Sequence, residues 1–233
     1  DSPLRSGTID VKYMTAKEED ILTSSNLIQQ GVVVDRLLES VIANSEIKLN
    51  DMLVGDKNAL MIGTRILGYG KEYWTNITDP DTKEKVEHCV DLTTLKHKEV
   101  DSKLMENGNK FEFELPNSKR VIEFKLLTHK DEKDFNEEMK SYEKAEELTG
   151  ISMNLTTRLK YQIVSIDGDT NKKTINNFID NEFLALDSRA FRAHYDKVNP
   201  DIELKFDYTS QTGNVHKVDV PLGTEFFWPA ARE

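Results

Sequence analysis

The sequence predicts an α+β fold, with a mainly helical body from which two or more antiparallel β-hairpins project. Long segments carry apolar residues three and four positions apart, a spacing that places them on one face of a helix. Other segments alternate apolar and polar residues on both sides of a short polar turn, as the two strands of a hairpin do. Glycine and proline stand between these segments, where they end helices and form turns.

The N-terminal part begins with a strand-like segment and continues into three helices. Residues 8–13 alternate apolar and polar side chains, which predicts a half-buried strand. Thr15, followed three residues later by Glu18, forms a capping box and marks the start of the first helix. Gly31 ends this helix, which is expected to loosen at residues 24–26. The three helices are expected at about 16–30, 33–43 and 51–67.

The rest of the chain predicts hairpins and further helices. The first hairpin turns at residues 79–82, where proline presets the reversal of the chain. Leu148 and Leu155 are expected on the apolar faces of two of the helices. The paired strands are 73–78 with 86–92, 110–115 with 121–127, and 202–208 with 215–220. The helices are 131–148, 156–166, 174–179 and 187–198.

Two loosely defined lobes are expected, residues 1–128 and residues 129–233, with a single domain as the alternative. Residues 85–92 resemble residues 214–220, and each segment closes a hairpin after a polar turn. The likeness fits an internal duplication, but it also fits the general pattern of amphipathic return strands.

Charge and cysteine content exclude several classes of protein. Acidic residues outnumber basic residues by 42 to 31, so the formal net charge is −11. A surface of this sign repels phosphate backbones, and no nucleic-acid partner is expected. No apolar run approaches the roughly 20 residues that a membrane helix needs, so no membrane contact is expected either. The single cysteine, Cys89, excludes an intrachain disulfide and favours synthesis in a reducing cytoplasm.

The search for catalytic chemistry yields weak candidates. The segment that starts at Asp167 begins like a calcium loop, but Lys172 and Phe178 occupy the positions that require glycine and an acid. No other metal or cofactor motif is complete, so no cofactor is expected. A remote alternative is a metal-dependent hydrolase in which Asp167, Asp169 and Asp180 converge. That alternative requires a pocket in which the pKa values of these carboxyl groups are perturbed.

The aromatic residues near the C-terminus allow two interpretations. Such large apolar side chains either pack against the chain's own core or anchor a partner, because tryptophan and phenylalanine are enriched at the centres of interfaces. The N-terminal segment 5–13 is a second, weaker candidate, since its strand could extend the sheet of a partner. The predicted partner-contact residues are Phe226, Phe227, Trp228, Arg5, Ile9, Val11 and Tyr13.

A family resemblance extends over nearly the whole chain. The segments that carry it are 7–23 (GTIDVKYMTAKEEDILT), 54–60 (VGDKNAL), 65–70 (RILGYG), 155–160 (LTTRLK), 186–192 (LDSRAFR) and 226–229 (FFWP). Taken in this order, they resemble the baseplate hub and hub-assembly proteins of T-even-like, contractile-tailed bacteriophages. The specificity of the resemblance comes from the ordered combination, since no single segment is diagnostic.

The resemblance implies a non-enzymatic structural protein of the tail baseplate hub, which docks onto other baseplate or hub proteins. Copies of the chain itself in a ring would also fit. A hub-assembly chaperone that is absent from the mature virion is the alternative. The implied location is the host cytoplasm during assembly and then the baseplate. Some members of the family carry zinc knuckles, but the turns at 79–82 and 209–212 lack cysteine pairs here. Their hairpins must therefore be held by hydrogen bonds and packing.

Overall fold

A computed structural model describes residues 7–98, 100, 108–222 and 224–227, and it confirms the α+β class. Helices form the larger part, and the strands form small antiparallel sheets. The helices are α1 (Ala16–Thr23), α2 (Ser25–Gln29), α3 (Val33–Val41), α4 (Val54–Tyr69), α5 (His129–Thr149), α6 (Asn154–Gln162), α7 (Lys172–Asn177) and α8 (Ala185–Val198). The strands are β1 (Glu72–Thr78), β2 (Lys85–Asp91), β3 (Phe111–Glu114), β4 (Val121–Phe124), β5 (Ile163–Ile166), β6 (Lys205–Thr209) and β7 (Val215–Asp219).

The chain divides into two compact units, and the first unit is interrupted by the second. Unit 1 contains residues 1–98 and 201–233, and unit 2 contains residues 99–200. The two segments of unit 1 meet where the chain leaves and returns: the Lys98 N–H donates to the Asp201 carbonyl at 2.8 Å, and His97 forms a β-bridge with Ile202. The boundary expected near residue 128 lies within unit 2, so the predicted lobes and these units differ.

The N-terminal segment of unit 1 pairs with the end of α3 at a single point. Val11 forms an isolated antiparallel bridge with Ile42, and the Lys12 N–H donates to the Val41 carbonyl at 2.8 Å. The full strand predicted over residues 8–13 is therefore reduced to one bridge. The extended segment ends shortly after this bridge, and the capping box of Thr15 and Glu18 starts α1.

The long first helix expected over residues 16–30 is two helices. The backbone of Ser24 is extended, which separates α1 from α2 at the position where loosening was expected. Gly31 then adopts a positive φ of 69°, which ends α2 and turns the chain into α3. Helix α3 buries one side completely, because its apolar residues recur at helical spacing.

Arg65 fixes the connection between α4 and β1. Its side chain is 2% exposed, and its guanidinium donates to the carbonyls of Gly70 at 3.0 Å and Glu72 at 3.2 Å. The same group lies over the rings of Tyr69 and Tyr73, 5.3 and 5.8 Å from their centroids. These contacts let a buried cation hold the turn that starts the first hairpin.

Two hairpins complete unit 1. Strands β1 and β2 pair antiparallel, as do β6 and β7. His88 on β2 stacks on Phe206 and meets the edge of the Tyr208 ring, each at 5.2 Å between centroids, so the two hairpins pack on each other. The larger hydrophobic cluster of unit 1 contains Leu37, Val41, Ile62, Tyr73, Val90, Leu92, Leu95, Ile202, Val220, Phe226 and Phe227.

Unit 2 contains a three-stranded antiparallel sheet in the order β3-β4-β5. The helix predicted over residues 156–166 ends at Gln162, and the next four residues form β5, so this part of the prediction was wrong. Ile163, Val164 and Ile166 are β-branched and favour a strand once β4 offers a pairing edge. Helix α5 is close to its predicted bounds, since Thr128 and Asp131 form a capping box and Gly150 ends it.

Candidate docking surfaces

The predicted N-terminal contact residues differ in their exposure. Ile9 and Val11 are partly buried and pack against the hydrophobic clusters of unit 1. Tyr13 is 71% exposed, so its ring can meet another molecule. Arg5 lies outside the described residues. Of the described contact candidates in this segment, Tyr13 is therefore the one with a largely exposed side chain.

The aromatic residues near the C-terminus lie inside the chain's own core. Phe226 and Phe227 are 0% and 1% exposed. The Phe226 ring meets Tyr73 and Phe227, each at 5.0 Å and nearly perpendicular. The expectation that these two phenylalanines anchor a partner needs correction, because their rings have almost no surface available to one. Trp228 lies outside the described residues.

The three aspartates of the hydrolase alternative each have their own partners. Asp167 accepts from Arg120 at 2.8 Å and from the Val121 N–H at 2.8 Å. Asp180 accepts from Lys160 at 2.8 Å, whereas Asp169 accepts from the backbone of the turn that precedes α7. Among the described residues, no group of three or more potential ligands is arranged to hold a metal ion.

Two aspartates join the turns of the two hairpins in unit 1. Asp79 is fully buried in the β1–β2 turn and accepts from the N–H groups of Asp81 and Thr82. It also accepts from the Tyr208 hydroxyl and the Gln211 N–H of the other hairpin, and the four bonds measure 2.8 to 3.1 Å. Burial alone would raise the pKa of Asp79, but these donors outweigh burial and lower the pKa to about 2.

Asp81 extends this connection towards the surface. Its carboxylate accepts from the hydroxyls of Ser210 and Thr212 and from the Asn214 amide. His216 Nε2 lies 2.9 Å from the other carboxylate oxygen. The Ser210 hydroxyl and the donors beside it hold the pKa of Asp81 well below its ordinary value. We call Asp79, Asp81 and their donors the aspartate clasp. It fastens the two turns by hydrogen bonds, and four of its donors reach the Asp79 carboxylate.

A long exposed segment joins α5 to α6 in unit 2. Every residue from 147 to 155 is exposed to solvent, and we call this segment the α5–α6 connection. Large apolar side chains are usually buried, yet four of them lie within these nine residues. Their exposed fractions are 88% for Leu148, 68% for Ile151, 39% for Met153 and 42% for Leu155. Leu148 and Leu155 were expected on the apolar faces of their helices, and in the structure both side chains are exposed.

The connection starts and ends on well-anchored helices. Gly150 adopts a left-handed conformation with φ of 67°, and its N–H donates to the Glu146 carbonyl at 2.7 Å, which caps α5. Helix α6 is tied to α5 by two bonds of 3.2 Å between Arg158 and Glu132. The Tyr161 hydroxyl donates to Glu138 at 3.0 Å, and burial together with this carboxylate raises the pKa of Tyr161 to about 12. The apolar side chains are therefore presented by a fixed support.

Charge around the connection is distributed unevenly. Residues 148–157 contain no charged side chain, although 31% of the residues in the chain are charged. Glu143, Glu146 and Glu147 directly precede this segment, with Lys144 as the only base among them. In the described part of the chain, none of the ion pairs involves these three glutamates. This uncharged run is the sequence signal that could have indicated an exposed apolar surface. The predicted helices 131–148 and 156–166 each took one end of the run, so it was not recognised as a single feature.

Comparison with known proteins supports a role in a phage baseplate. None of the helices in the described residues has the length and apolar character to cross a membrane. No curated protein and no solved structure matches the chain. The family model described as T4 bacteriophage base plate protein matches residues 2–228. Because this match covers nearly the whole sequence, the chain belongs to the T4 bacteriophage base plate protein family.

Proposed function

We propose that the chain is a non-enzymatic structural protein of the tail baseplate hub and acts by docking onto other baseplate proteins. Family membership implies a phage tail location, and the hub is the finer part of the proposal. The observation that carries docking is the α5–α6 connection, where four large apolar side chains are exposed in a strongly charged chain. Such surfaces mark sites of interaction with other proteins.

The partners of the three candidate catalytic aspartates support a non-enzymatic role. An acid that works in catalysis commonly has a pKa moved towards the working pH and faces a pocket. The Val121 N–H and the Arg120 guanidinium donate to Asp167 and lower its pKa, and Asp180 is paired with Lys160. These partners indicate that the two aspartates stabilise the local structure, and they do not favour a role in acid–base chemistry.

A hub-assembly chaperone that leaves before the particle is complete is the second candidate. It would use the same docking surface, and the two roles differ only in whether the chain remains in the virion. The chaperone would act in the host cytoplasm, whereas the structural protein would move from there into the baseplate. A ring of several copies would be compatible with the structural role, because hub components are commonly arranged around a symmetry axis.

Mass spectrometry of purified phage particles, combined with a pull-down of the chain from infected cells, tests the proposal. A hub component should be present in particles at a fixed ratio to other baseplate proteins. Recovery with baseplate proteins from cells, together with absence from particles, would establish the chaperone instead. Absence from both samples would contradict both roles.

A further inference from the structure

We propose that the α5–α6 connection binds a baseplate subunit through a surface in which apolar side chains are surrounded by lysine and arginine. This inference rests on the proposed function and specifies the chemistry of the partner. It follows from two properties of the connection, its apolar centre and the sign of the charge beside it.

The apolar centre supplies the area that a partner can bury. The side chains of Leu148 and Ile151 are 88% and 68% exposed, so neither contributes to the core of unit 2. Burial of large apolar side chains is the main favourable contribution to most protein–protein contacts, so these four residues form the energetic centre of the proposed interface. The surrounding residues are threonine, serine, asparagine and glycine, which can be desolvated at lower cost than charged groups.

The charge beside this centre is negative. Residues 143–157 carry three glutamates and one lysine, which gives a net charge of −2. The last turn of α5 contains no basic residue, so the negative end of its helix dipole adds to the same field. A partner surface with lysine or arginine around an apolar depression would complement both features.

The same charges disfavour two other occupants. In a symmetric contact between two copies, the glutamates of each copy would face those of the other, and their repulsion would oppose association. The anionic headgroups of a bacterial membrane would be repelled in the same way. A basic protein surface is therefore the occupant that the observations favour.

Photo-crosslinking in infected cells tests the proposal with the full chain. The photoreactive residue p-benzoyl-phenylalanine is placed at position 151 or 155, and at Lys173 as an exposed control in the same unit. We expect crosslinks from 151 and 155, but not from 173, to one baseplate protein. The crosslinked peptide should be rich in lysine or arginine. Crosslinks only to another copy of the chain, only to lipid, or to an acidic peptide would overturn the proposal.

Binding of variants to the crosslinked protein provides the second test. Ile151→Asp should weaken binding about 30-fold or more, as expected for a residue at the centre of an interface. Leu186→Asp is the matched control, because Leu186 is 65% exposed in the same unit and should bind like the unchanged chain. The double variant Glu143→Lys, Glu147→Lys should bind more weakly and show a reduced dependence on salt.

The two levels of the proposal fail in different ways. If the chain is recovered with baseplate proteins but Ile151→Asp binds and assembles normally, the docking surface is wrong and the proposed function stands. If the unchanged chain is recovered neither with baseplate proteins nor in particles, both proposals fall. Circular dichroism should show the same helix content for all variants, because the altered side chains are exposed.

Discussion

Replacing Phe226 with alanine removes a fully buried ring from the core of unit 1. The ring is 0% exposed and makes edge contacts with Tyr73 and Phe227 at 5.0 Å. Core substitutions of this kind cost about 3–5 kcal/mol, which includes the cavity that remains. We expect the free energy of unfolding to fall by about 4 kcal/mol, a large part of the roughly 5–15 kcal/mol that stabilises an ordinary domain.

Urea denaturation followed by circular dichroism measures this loss. Phe226→Leu, which keeps most of the apolar volume, should lose clearly less stability than the alanine variant. Tyr13→Ala removes an aromatic ring that is 71% exposed and should change stability by no more than about 0.5 kcal/mol. An unchanged urea midpoint for Phe226→Ala would refute the assignment of this ring to the core. It would return the aromatic segment to the role of a partner anchor.

Truncation after residue 223 extends the same reasoning. A role of the aromatic residues as partner anchors would predict that the helical fold survives this truncation and that partner binding is lost. The structure predicts instead that unit 1 unfolds, because both buried phenylalanines are removed. Loss of the cooperative transition of unit 1, measured by hydrogen exchange, would support this expectation.

Three further predictions concern charged and capping residues. Asp79 has a folded-state pKa of about 2 against an ordinary value of 3.8, so its stabilising contribution is present above pH about 4 and lost towards pH 2. Asp79→Asn should therefore flatten this part of the acid denaturation curve. Arg65→Met removes charged hydrogen bonds to two carbonyls and should cost about 2 kcal/mol in urea denaturation. Thr128→Ala removes the N-cap of α5 and should cost about 1 kcal/mol by calorimetry.

Local signals predicted most of the individual elements. The capping box that begins with Thr15, and the glycine after α2, placed helix ends within a few residues. The turn at Asp79 placed the first hairpin, because the proline and the aspartate side chain there form the turn from neighbouring residues. Helix caps and tight turns depend on residues only a few positions apart, so the sequence alone can predict them.

The errors arose where distant parts of the chain decide the structure. Ile163 and Ile166 continue the helical spacing of α6, yet they form β5 because β4 lies 40 or so residues away in sequence and pairs with them. The two segments of unit 1 meet through contacts such as the bridge between His97 and Ile202, which has no local signature in the sequence. The buried state of Phe226 likewise depends on Tyr73, which lies in a distant part of the chain.

The proposed docking surface was missed for a related reason. Leu148 fits the apolar face of α5 by its spacing, but helical spacing does not show whether another element covers that face. In the structure it is 88% exposed. The aspartate clasp was foreseeable in part, since the absence of cysteines in both turns implied that hydrogen bonds must hold them. Which donors reach Asp79 could not be predicted from sequence alone.

The interruption of unit 1 by unit 2 has a consequence for the order of events on the ribosome. When residues 7–98 have been translated, their core still lacks β6, β7 and both buried phenylalanines. Unit 2 is continuous in sequence and can fold as it emerges. At roughly 5–20 residues per second, the N-terminal segment waits for about 10 s before the rest of its core is made. During that interval Tyr73 lacks the Phe226 ring against which it packs in the folded chain, so part of the core of unit 1 remains incomplete until the C-terminal segment is made.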